Sequence, residues 1–247
     1  IPKITWERHV KPDRWNRVNL GLNCLLIQTP YGNALVDTGV GNKETGKIPE
    51  SYGITSSKLG KKLKEVGLTA KDIDAVILTH LHFDHSGGST KIDRFGKPIP
   101  VFPKAKYYVQ TSCWNAASDP NERSTQSHNP EDYLCLQDTG QLQLIDGDEE
   151  ILPGIWVKET GGHCQGHQVV QINSGGEKIV FLGDVIPTPH HLKLPCIAAQ
   201  DQYPEATLEV KKELLGRAIK EGWLVIFGHG NENKAGYIER RNGDVTL

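Results

Sequence analysis

The chain has 247 residues, 37% of them hydrophobic, and a formal net charge of −2. This length can bury a large core, and we predict a single domain over residues 1–247. The balanced charge argues against nucleic acid as a partner, and the absence of any apolar run near 20 residues argues against a membrane span. Five scattered cysteines favour reduced thiols and a cytoplasmic protein, although a chain that begins at Ile1 leaves a removed leader as an alternative.

Residues 1–19 are mostly polar, with Trp6, Trp15 and Val18 as candidate apolar anchors. We predict an N-terminal arm that these side chains anchor against the body of the protein, either beside the active site or on plain surface. A homodimer contact through exposed tryptophans is a further alternative for the arm.

After the arm, short apolar or alternating runs typical of strands are separated by turn-forming residues and by lysine-rich runs with helical spacing. The predicted strands span residues 22–29, 34–37, 75–78, 106–110, 142–145, 155–159, 169–172, 178–182 and 223–227. The predicted helices span 57–66 and 204–221, with a helical turn at 68–73 and a hairpin at 237–247.

Three stretches are predicted to lack long regular elements. Residues 39–55 are a predicted lid or rim, residues 86–104 a loop, and residues 111–138 short helical pieces across one face. Each half of the chain runs from strands through a helix to another strand. This order favours an α/β protein in which helices cover two facing sheets, a four-layer αββα sandwich.

The densest group of polar side chains directly follows the apolar strand at 75–78. His80, His82, Asp84 and His85 lie within six residues, at the C-terminal end of a strand where open α/β sheets place their ligands. Imidazole and carboxylate suit zinc and its divalent neighbours. Burial of so many polar groups is costly unless something binds them. The sequence therefore predicts a metal site.

Further polar residues follow other predicted strands. His163 follows the strand that ends at 159, Asp184 follows 178–182, and His229 follows 223–227. Strand ends that converge on one sheet edge would bring these side chains together. Asp37 ends the strand at 34–37, either as a cap or as a carboxylate that orients a metal-bound histidine.

These motifs resemble those of the metallo-β-lactamase superfamily, over nearly the whole chain. The similarity is carried by HxHxDH at 80–85, GGHCQGH at 161–167, GD at 183–184, GH at 228–229 and LVDTG at 35–39. It implies the αββα fold with two divalent metal ions at one edge of the sheets. The implied ligands are His80, His82 and His163 for one ion, Asp84, His85 and His229 for the other, and Asp184 as a bridge.

Neighbours of these motifs receive more ordinary interpretations. His167 is expected to be structural, Cys164 a buried bystander, and His9 and His128 surface residues. Zinc β-lactamases usually carry cysteine at the position of Asp184, so the aspartate indicates a hydrolase of another branch.

Within the superfamily, the chain looks most like the quorum-quenching N-acyl-homoserine lactone lactonases, including the YtnP-like group, and the methyl-parathion-hydrolase-like enzymes. Substrate contacts are predicted for Phe83, His190, His191 and Tyr203. Better-known lactonases carry a tyrosine three positions after the bridging aspartate, where this chain has Pro187. Either His190, His191 or Tyr203 replaces the tyrosine, or the substrate is not an acyl-homoserine lactone.

The resemblance implies a hydrolase in which a hydroxide that bridges two metal ions attacks the carbonyl of a small-molecule lactone. Zinc is the expected metal, with iron, manganese and cobalt as alternatives. Asp184 would hold both ions and Asp84 would carry a proton to the leaving alkoxide. These two aspartates are the predicted catalytic residues.

Other functions of the same fold remain as alternatives. A phosphotriester or aryl ester hydrolase, or a glyoxalase II-like thioesterase, would use the same ligands. A redox diiron protein is an alternative of a different class. A nuclease would need a basic groove, and a non-catalytic relative would usually have lost ligands.

Overall fold

The computed structural model describes residues 2–43 and 52–247. Residues 44–51 of the predicted lid or rim loop lie outside the described residues. The helices are α1 Lys3–Trp6, α2 Leu59–Glu65, α3 Phe83–Ser86, α4 Thr111–Ser118, α5 Leu134–Asp138 and α6 Pro204–Glu221. The strands are β1 Leu25–Thr29, β2 Gly32–Val36, β3 Ala75–Ile77, β4 Thr90–Ile92, β5 Pro98–Pro100, β6 Lys106–Gln110, β7 Leu142–Ile145, β8 Glu149–Leu152, β9 Ile155–Glu159, β10 Gln168–Ser174, β11 Glu177–Phe181, β12 Leu224–Ile226, β13 Ala235–Tyr237, β14 Glu239–Arg241 and β15 Asp244–Thr246.

The first sheet has the strand order β1-β2-β3-β6-β7. The β1–β2 hairpin is antiparallel, and the pairs from β2 to β7 are parallel. β3 lies in the middle of this sheet and is wholly buried, which explains its unbroken apolar sequence. The residues that follow β3 therefore emerge at the centre of a sheet edge.

The second sheet has the order β13-β12-β11-β10-β9-β8. Its strands pair antiparallel except for β11 and β12, which are parallel and are connected through α6. Pro204 occupies the first turn of α6, and Gly222 ends the helix with a left-handed backbone (φ 67°). The C-terminal ends of β11 and β12 consequently lie side by side.

Three apolar cores define the layers. The middle core packs the two sheets face to face and includes Val36 and Ile77 from the first sheet and Val170 and Phe181 from the second. A second core lies on the outer face of the first sheet with α2 and α4, and a third packs α6 on the outer face of the second sheet. The predicted four-layer αββα sandwich is confirmed.

Several local predictions need correction. The loop predicted at 86–104 contains the β4–β5 hairpin, and strands β8 and β13 were not predicted. The first strand begins at Leu25 rather than residue 22, because residues 21–23 bond the loop at 228–230 instead of a neighbouring strand. Trp15 is not an anchor, since 60% of its surface is exposed. None of the helices in the described residues is long and apolar enough to cross a membrane.

Candidate metal centre

The predicted site residues converge at one edge of the two sheets. His80 to His85 follow β3 and run into the short helix α3, whereas the other three residues follow strands of the second sheet. The imidazoles are buried, and so is the carboxylate of Asp184. The side chains brought together are His80, His82, Asp84, His85, His163, Asp184 and His229.

Three imidazoles form the first cluster. His82 Nδ1 lies 3.0 Å from His80 Nε2 and 3.1 Å from His163 Nε2. Two nitrogens that ligate one zinc ion at about 2.0–2.1 Å in tetrahedral geometry lie about 3.3 Å apart, so the spacing fits a shared cation. Burial, together with the neighbouring imidazoles, holds the pKa of His80 and of His82 well below the usual value. Neutral imidazole is the form that binds metal.

The second cluster combines two imidazoles with two carboxylates. His85 Nε2 lies 3.2 Å from His229 Nε2, and Asp184 Oδ1 lies 3.3 and 3.0 Å from these two nitrogens. Asp84 Oδ2 completes the group at 3.8 Å from His85 and 3.6 Å from His229. The side chain of Asp84 is 25% exposed, which makes it the most accessible member of this cluster.

Asp184 spans the two clusters, because its Oδ2 lies 3.4 Å from His163 Nε2. Its buried Oδ1 has no hydrogen-bond partner with good geometry. Burial raises the pKa of this carboxyl, but His229, His85 and His163 outweigh it and hold the pKa well below 3.8. An ionised, buried oxygen without a hydrogen bond is the environment that a cation satisfies.

The same field acts on the histidines of the second cluster. Burial lowers the pKa of His229, but Asp184 and Asp84 outweigh it and raise that pKa to about 9. The pKa of His85 is likewise raised well above its usual value, by Asp184, Asp84 and Asp37, against the effect of burial. This cluster therefore favours positive charge, and its donor set fits a divalent cation.

A buried carboxylate orients His85. Asp37 Oδ2 accepts a hydrogen bond from His85 Nδ1 at 2.8 Å, which leaves Nε2 facing the cluster. Asp37 also accepts from the backbone N–H of Thr79 at 2.8 Å and from the Thr79 hydroxyl. Asp37 has a left-handed backbone (φ 57°), a conformation that aspartate and asparagine tolerate better than most residues.

A second buried carboxylate, whose role the sequence analysis does not predict, orients His163. Asp201 Oδ1 accepts from His163 Nδ1 at 2.9 Å, and Asp201 Oδ2 accepts from the Thr207 hydroxyl at 2.8 Å. The N–H groups of Gln202 and Tyr203 donate to the carbonyls of His163 and Gly162. A lone aspartate in a polar stretch carries no periodic signal, so only the fold reveals this partner.

His229 is held by the segment that precedes β1. Its Nδ1 donates to the Gly21 carbonyl at 2.8 Å, and the Gly21 N–H donates to the His229 carbonyl at 3.1 Å. The Asn23 amide donates to the carbonyls of Phe227 and Gly230. The N–H of His229 also donates to the Pro187 carbonyl, so Pro187 serves this site through its backbone.

His167 has a structural role, as expected from the sequence. The Asp184 N–H donates to His167 Nε2 at 3.0 Å, so the ring proton lies on Nδ1, which donates to the Thr160 hydroxyl at 2.7 Å. Gly183 must lack a side chain, because a Cβ there would lie 2.5 Å from His167 Nε2. Cys164 lies within 4.8 Å of the first cluster, so it is buried beside the site rather than remote from it.

The predicted substrate contacts fall in different places. Phe83 begins α3, between His82 and Asp84, and its ring lies 5.8 Å from that of Tyr52. Tyr203 is half exposed at the start of α6. His190 is exposed, whereas His191 is partly buried and its Nδ1 lies 2.8 Å from the Thr188 hydroxyl.

His128 is not a plain surface residue, contrary to the sequence-based expectation. Its ring centroid lies 5.1 Å from that of His82, and its Nδ1 lies 3.1 Å from the Leu81 carbonyl oxygen. The intervening chain of 45 residues folds back across the site, which spacing in the sequence does not reveal.

The family model described as the metallo-beta-lactamase superfamily matches residues 19–229 of this chain. The chain belongs to this superfamily. The match includes all seven residues of the two clusters, which lie between residues 80 and 229.

Similar proteins include lactonases. An N-acyl homoserine lactonase from Bacillus cereus is 28% identical over 237 residues, covering 90% of this chain and 86% of the relative. A solved structure from Staphylococcus aureus, described as a probable metal-dependent hydrolase, is 31% identical with a TM-score of 0.88, covering 99% of this chain and 86% of the other. An N-acyl homoserine lactone hydrolase with N-hexanoyl-L-homoserine at its catalytic metal centre is 26% identical with a TM-score of 0.67, covering 87% and 83%.

The family and the His/Asp clusters together make this protein a metal-dependent hydrolase. The resemblance to quorum-quenching lactonases that the motifs indicate is also confirmed at the level of relatives.

Proposed function

We propose that this hydrolase opens the ring of an N-acyl homoserine lactone, a small-molecule substrate. The observation that carries the proposal is Asp184, a buried and ionised carboxylate whose two oxygens reach separate ligand clusters. Such an arrangement suits a two-metal hydrolytic site. The lactonases among the relatives point to the substrate class.

The proposed ligand sets follow the two clusters. His80, His82 and His163 would hold one ion, Asp84, His85 and His229 the other, and Asp184 both. Zinc fits the imidazole-rich donor set best, and iron, manganese and cobalt accept the same ligands. When bound, such ions would lower the pKa of a water ligand toward neutrality, which would make hydroxide available at neutral pH.

Protein groups would then direct the ring opening. In the reaction the water oxygen bonds to the lactone carbonyl carbon, the ring C–O bond breaks, and a proton reaches the departing alkoxide oxygen. Asp84 is the proposed proton carrier, because its carboxylate is partly exposed and adjoins the second cluster. Asp37 and Asp201 would keep His85 and His163 in place by fixing their Nδ1 protons.

Substrate placement would depend on the rim of the site. The aromatic pair of Phe83 and Tyr52 offers an apolar contact to the acyl part of the substrate. Pro187 has no side-chain donor, so it cannot donate the hydrogen bond that a tyrosine at this position would give to the lactone carbonyl. Another side chain would have to donate it. Tyr203 is the proposed replacement, because its hydroxyl makes no hydrogen bond to any described residue.

A substrate panel on metal-reconstituted protein tests the proposal. We expect turnover of acyl homoserine lactones, and a loss of at least about 100-fold in kcat/KM for His82→Ala and Asp84→Asn, since even outer partners of metal ligands contribute 10–100-fold. Asp148→Asn is a matched control, because Asp148 pairs with Lys158 on the surface. Unchanged turnover in both site variants would contradict the assignment of the centre.

The same panel separates the other candidates. An aryl ester, a phosphotriester and a thioester of glutathione are included, and preferred turnover of any one of these overturns the lactone assignment while leaving a hydrolase. Oxygen consumption without hydrolysis would indicate the redox diiron class instead.

A further inference from the structure

A cavity of about 140 Å³ opens beside the metal centre. It lies between α4, the segment that follows α4, the loop that carries His163, and the start of α6. Most of its lining side chains are polar, and they include Asp119, His128, Cys164, Gln165, Gln202 and Tyr203.

Two walls of the cavity adjoin the first histidine cluster. The ring of His128 packs against that of His82, with 5.1 Å between centroids, and Cys164 directly follows His163. His82 Nδ1 and His163 Nε2 are themselves only 3.1 Å apart. A group in the cavity is therefore close enough to belong to a molecule that reacts at the centre.

The hydrogen bond of His128 fixes its chemical role. Nδ1 lies 3.1 Å from the Leu81 carbonyl oxygen, and a carbonyl can only accept, so Nδ1 carries the proton. In neutral imidazole the other nitrogen, Nε2, is then an acceptor. His128 Nε2 makes no hydrogen bond to any residue in the described ranges, so it is available to a donor on a ligand.

Other lining groups are equally uncommitted. Within residues 2–43 and 52–247, the side chains of Asp119, Gln165, Gln202 and Tyr203 make no hydrogen bond. The carboxylate of Asp119, like His128 Nε2, only accepts. Asp119, Gln165 and Tyr203 are exposed and Gln202 is half-buried, so water reaches these groups until a ligand displaces it. An alkyl chain would displace this water without supplying hydrogen-bond partners in its place. A substrate hydroxyl can donate one hydrogen bond, to His128 Nε2 beside the metal centre, and can accept from an amide or hydroxyl of the lining.

We infer that this cavity binds a hydroxyl group on the acyl part of the substrate, so that the preferred substrates are hydroxylated acyl lactones rather than lactones with unsubstituted alkyl chains. The inference rests on the proposed lactonase function and deepens it. The volume of the cavity suits a short polar fragment. A longer alkyl tail would leave the cavity and lie along the aromatic pair of Phe83 and Tyr52.

A matched substrate pair tests the inference. N-(3-hydroxyhexanoyl)-homoserine lactone and N-hexanoyl-homoserine lactone differ by one hydroxyl. We expect wild-type kcat/KM to favour the hydroxylated lactone by about 10-fold, because only that lactone can make the hydrogen bond to His128 Nε2. Equal values for the two lactones would overturn the inference and leave the proposed function intact.

Variants connect the preference to the cavity. In His128→Phe, which removes the acceptor of the hydroxyl, the ratio of the two kcat/KM values should fall toward one. In Asp119→Ala, which removes the other accepting group of the lining, the ratio should fall less. The control Asp148→Ala should keep the wild-type ratio, since Asp148 pairs with Lys158 at the surface. Metal content is measured for each variant, because a loss of metal lowers both rates without changing their ratio. A ratio that persists in both cavity variants contradicts the assignment.

A binding measurement keeps the inference separate from catalysis. Calorimetry on metal-loaded wild-type protein gives Kd for the two ring-opened acyl homoserine products. Binding of the hydroxylated product at least about 10-fold tighter, with this difference lost in His128→Phe, supports the cavity assignment even if neither lactone is hydrolysed. Failure to hydrolyse either lactone defeats the proposed function, whereas equal Kd values defeat the inference.

Discussion

His85 and His163 are both oriented by a buried carboxylate, but the two carboxylates are supported in different ways. Asp37 follows β2 directly and accepts from the backbone N–H of Thr79, just beyond β3. Since β2 and β3 are paired strands, the support of His85 belongs to the first sheet itself.

Asp201 instead lies in the loop between β11 and α6. Its carboxylate accepts from Thr207, and its carbonyl accepts from Arg123 at 3.1 Å. The buried ammonium of Lys211 donates to the carbonyls of Lys193 and Cys196 earlier in this loop. The support of His163 therefore depends on helix and loop contacts rather than on a sheet ladder.

This difference suggests that the two halves of the centre respond differently to perturbation. A sheet-borne partner is rigid because the ladder fixes it, whereas a loop-borne partner is only as ordered as the contacts that pin the loop. Substitutions at Asp37 should weaken metal binding locally. Substitutions around Asp201 should weaken metal binding and also loosen the loop.

The largest effect is expected where the two halves meet. Asp184→Asn removes the charge that serves both clusters, so we expect a loss of at least about 100-fold in kcat/KM and a lower metal content per chain. Elemental analysis and steady-state kinetics measure both. Full metal content with wild-type activity would show that Asp184 does not join the clusters.

The paired variants Asp37→Asn and Asp201→Asn test the comparison directly. Each removes the negative charge beside the histidine Nδ1–H and puts an amide N–H₂ in place of one of the two accepting oxygens, and we expect metal affinity to fall about 10–100-fold. Competition with a chelator gives the affinities. Asparagine also tolerates the left-handed backbone at 37.

Hydrogen exchange separates the two variants. Asp201→Asn should speed exchange of amides in the loop 187–203, and Asp37→Asn should leave exchange in that loop at the wild-type rate. Similar exchange in both variants would remove the distinction between sheet-borne and loop-borne support.

Lys211 gives the loop a pH dependence. Burial lowers its pKa from 10.5 to about 8, against the opposing effects of Cys196 and Asp201. Between about pH 8 and pH 10.5, Lys211 is more fully protonated in the unfolded chain than in the folded chain. The free energy of unfolding should therefore rise with pH in this range. We expect a contribution of about 1–2 kcal/mol between pH 7.5 and 9.5.

Denaturant unfolding of Lys211→Met should lack this contribution. Lys212→Met is the matched control, since Lys212 is exposed on the same helix and pairs with Glu209. An identical pH dependence in wild type and Lys211→Met would mean that the lysine is not held as the contacts indicate.

The smallest effect is expected for Thr207→Val, which keeps the side-chain shape but removes the hydroxyl that donates to Asp201. Loss of one hydrogen bond of about 1 kcal/mol should lower metal affinity about 5-fold. Thr139→Val is the control, because its hydroxyl bonds only the end of α5. An effect as large as that of Asp201→Asn would place the main role on the hydroxyl.

Much of the fold could be predicted because its signals are local. The apolar run of β3 and the 18-residue pattern of α6 follow from periodicity and end signals, and α6 spans the predicted residues. The convergence of His80, His163 and His229 followed from their positions after strands. The hairpin of β4 and β5 was missed, because the two prolines of β5 are not typical of a strand.

Asp201 and His128 show why the remainder could not be predicted. Each is a single polar residue in an irregular stretch, and its contact with a site histidine depends on how a long connection folds back. Neither hydrophobic period nor motif spacing encodes that return.

The bond between His229 Nδ1 and the Gly21 carbonyl joins positions 208 residues apart. The last predicted ligand is thus aimed by one of the earliest segments of the chain. Gly21 has no partner at this site until β12 has docked in the second sheet, so complete metal binding reports the closure of the whole chain rather than the order of either sheet. Metal uptake during synthesis would accordingly come late, after the polypeptide through residue 229 has emerged and packed.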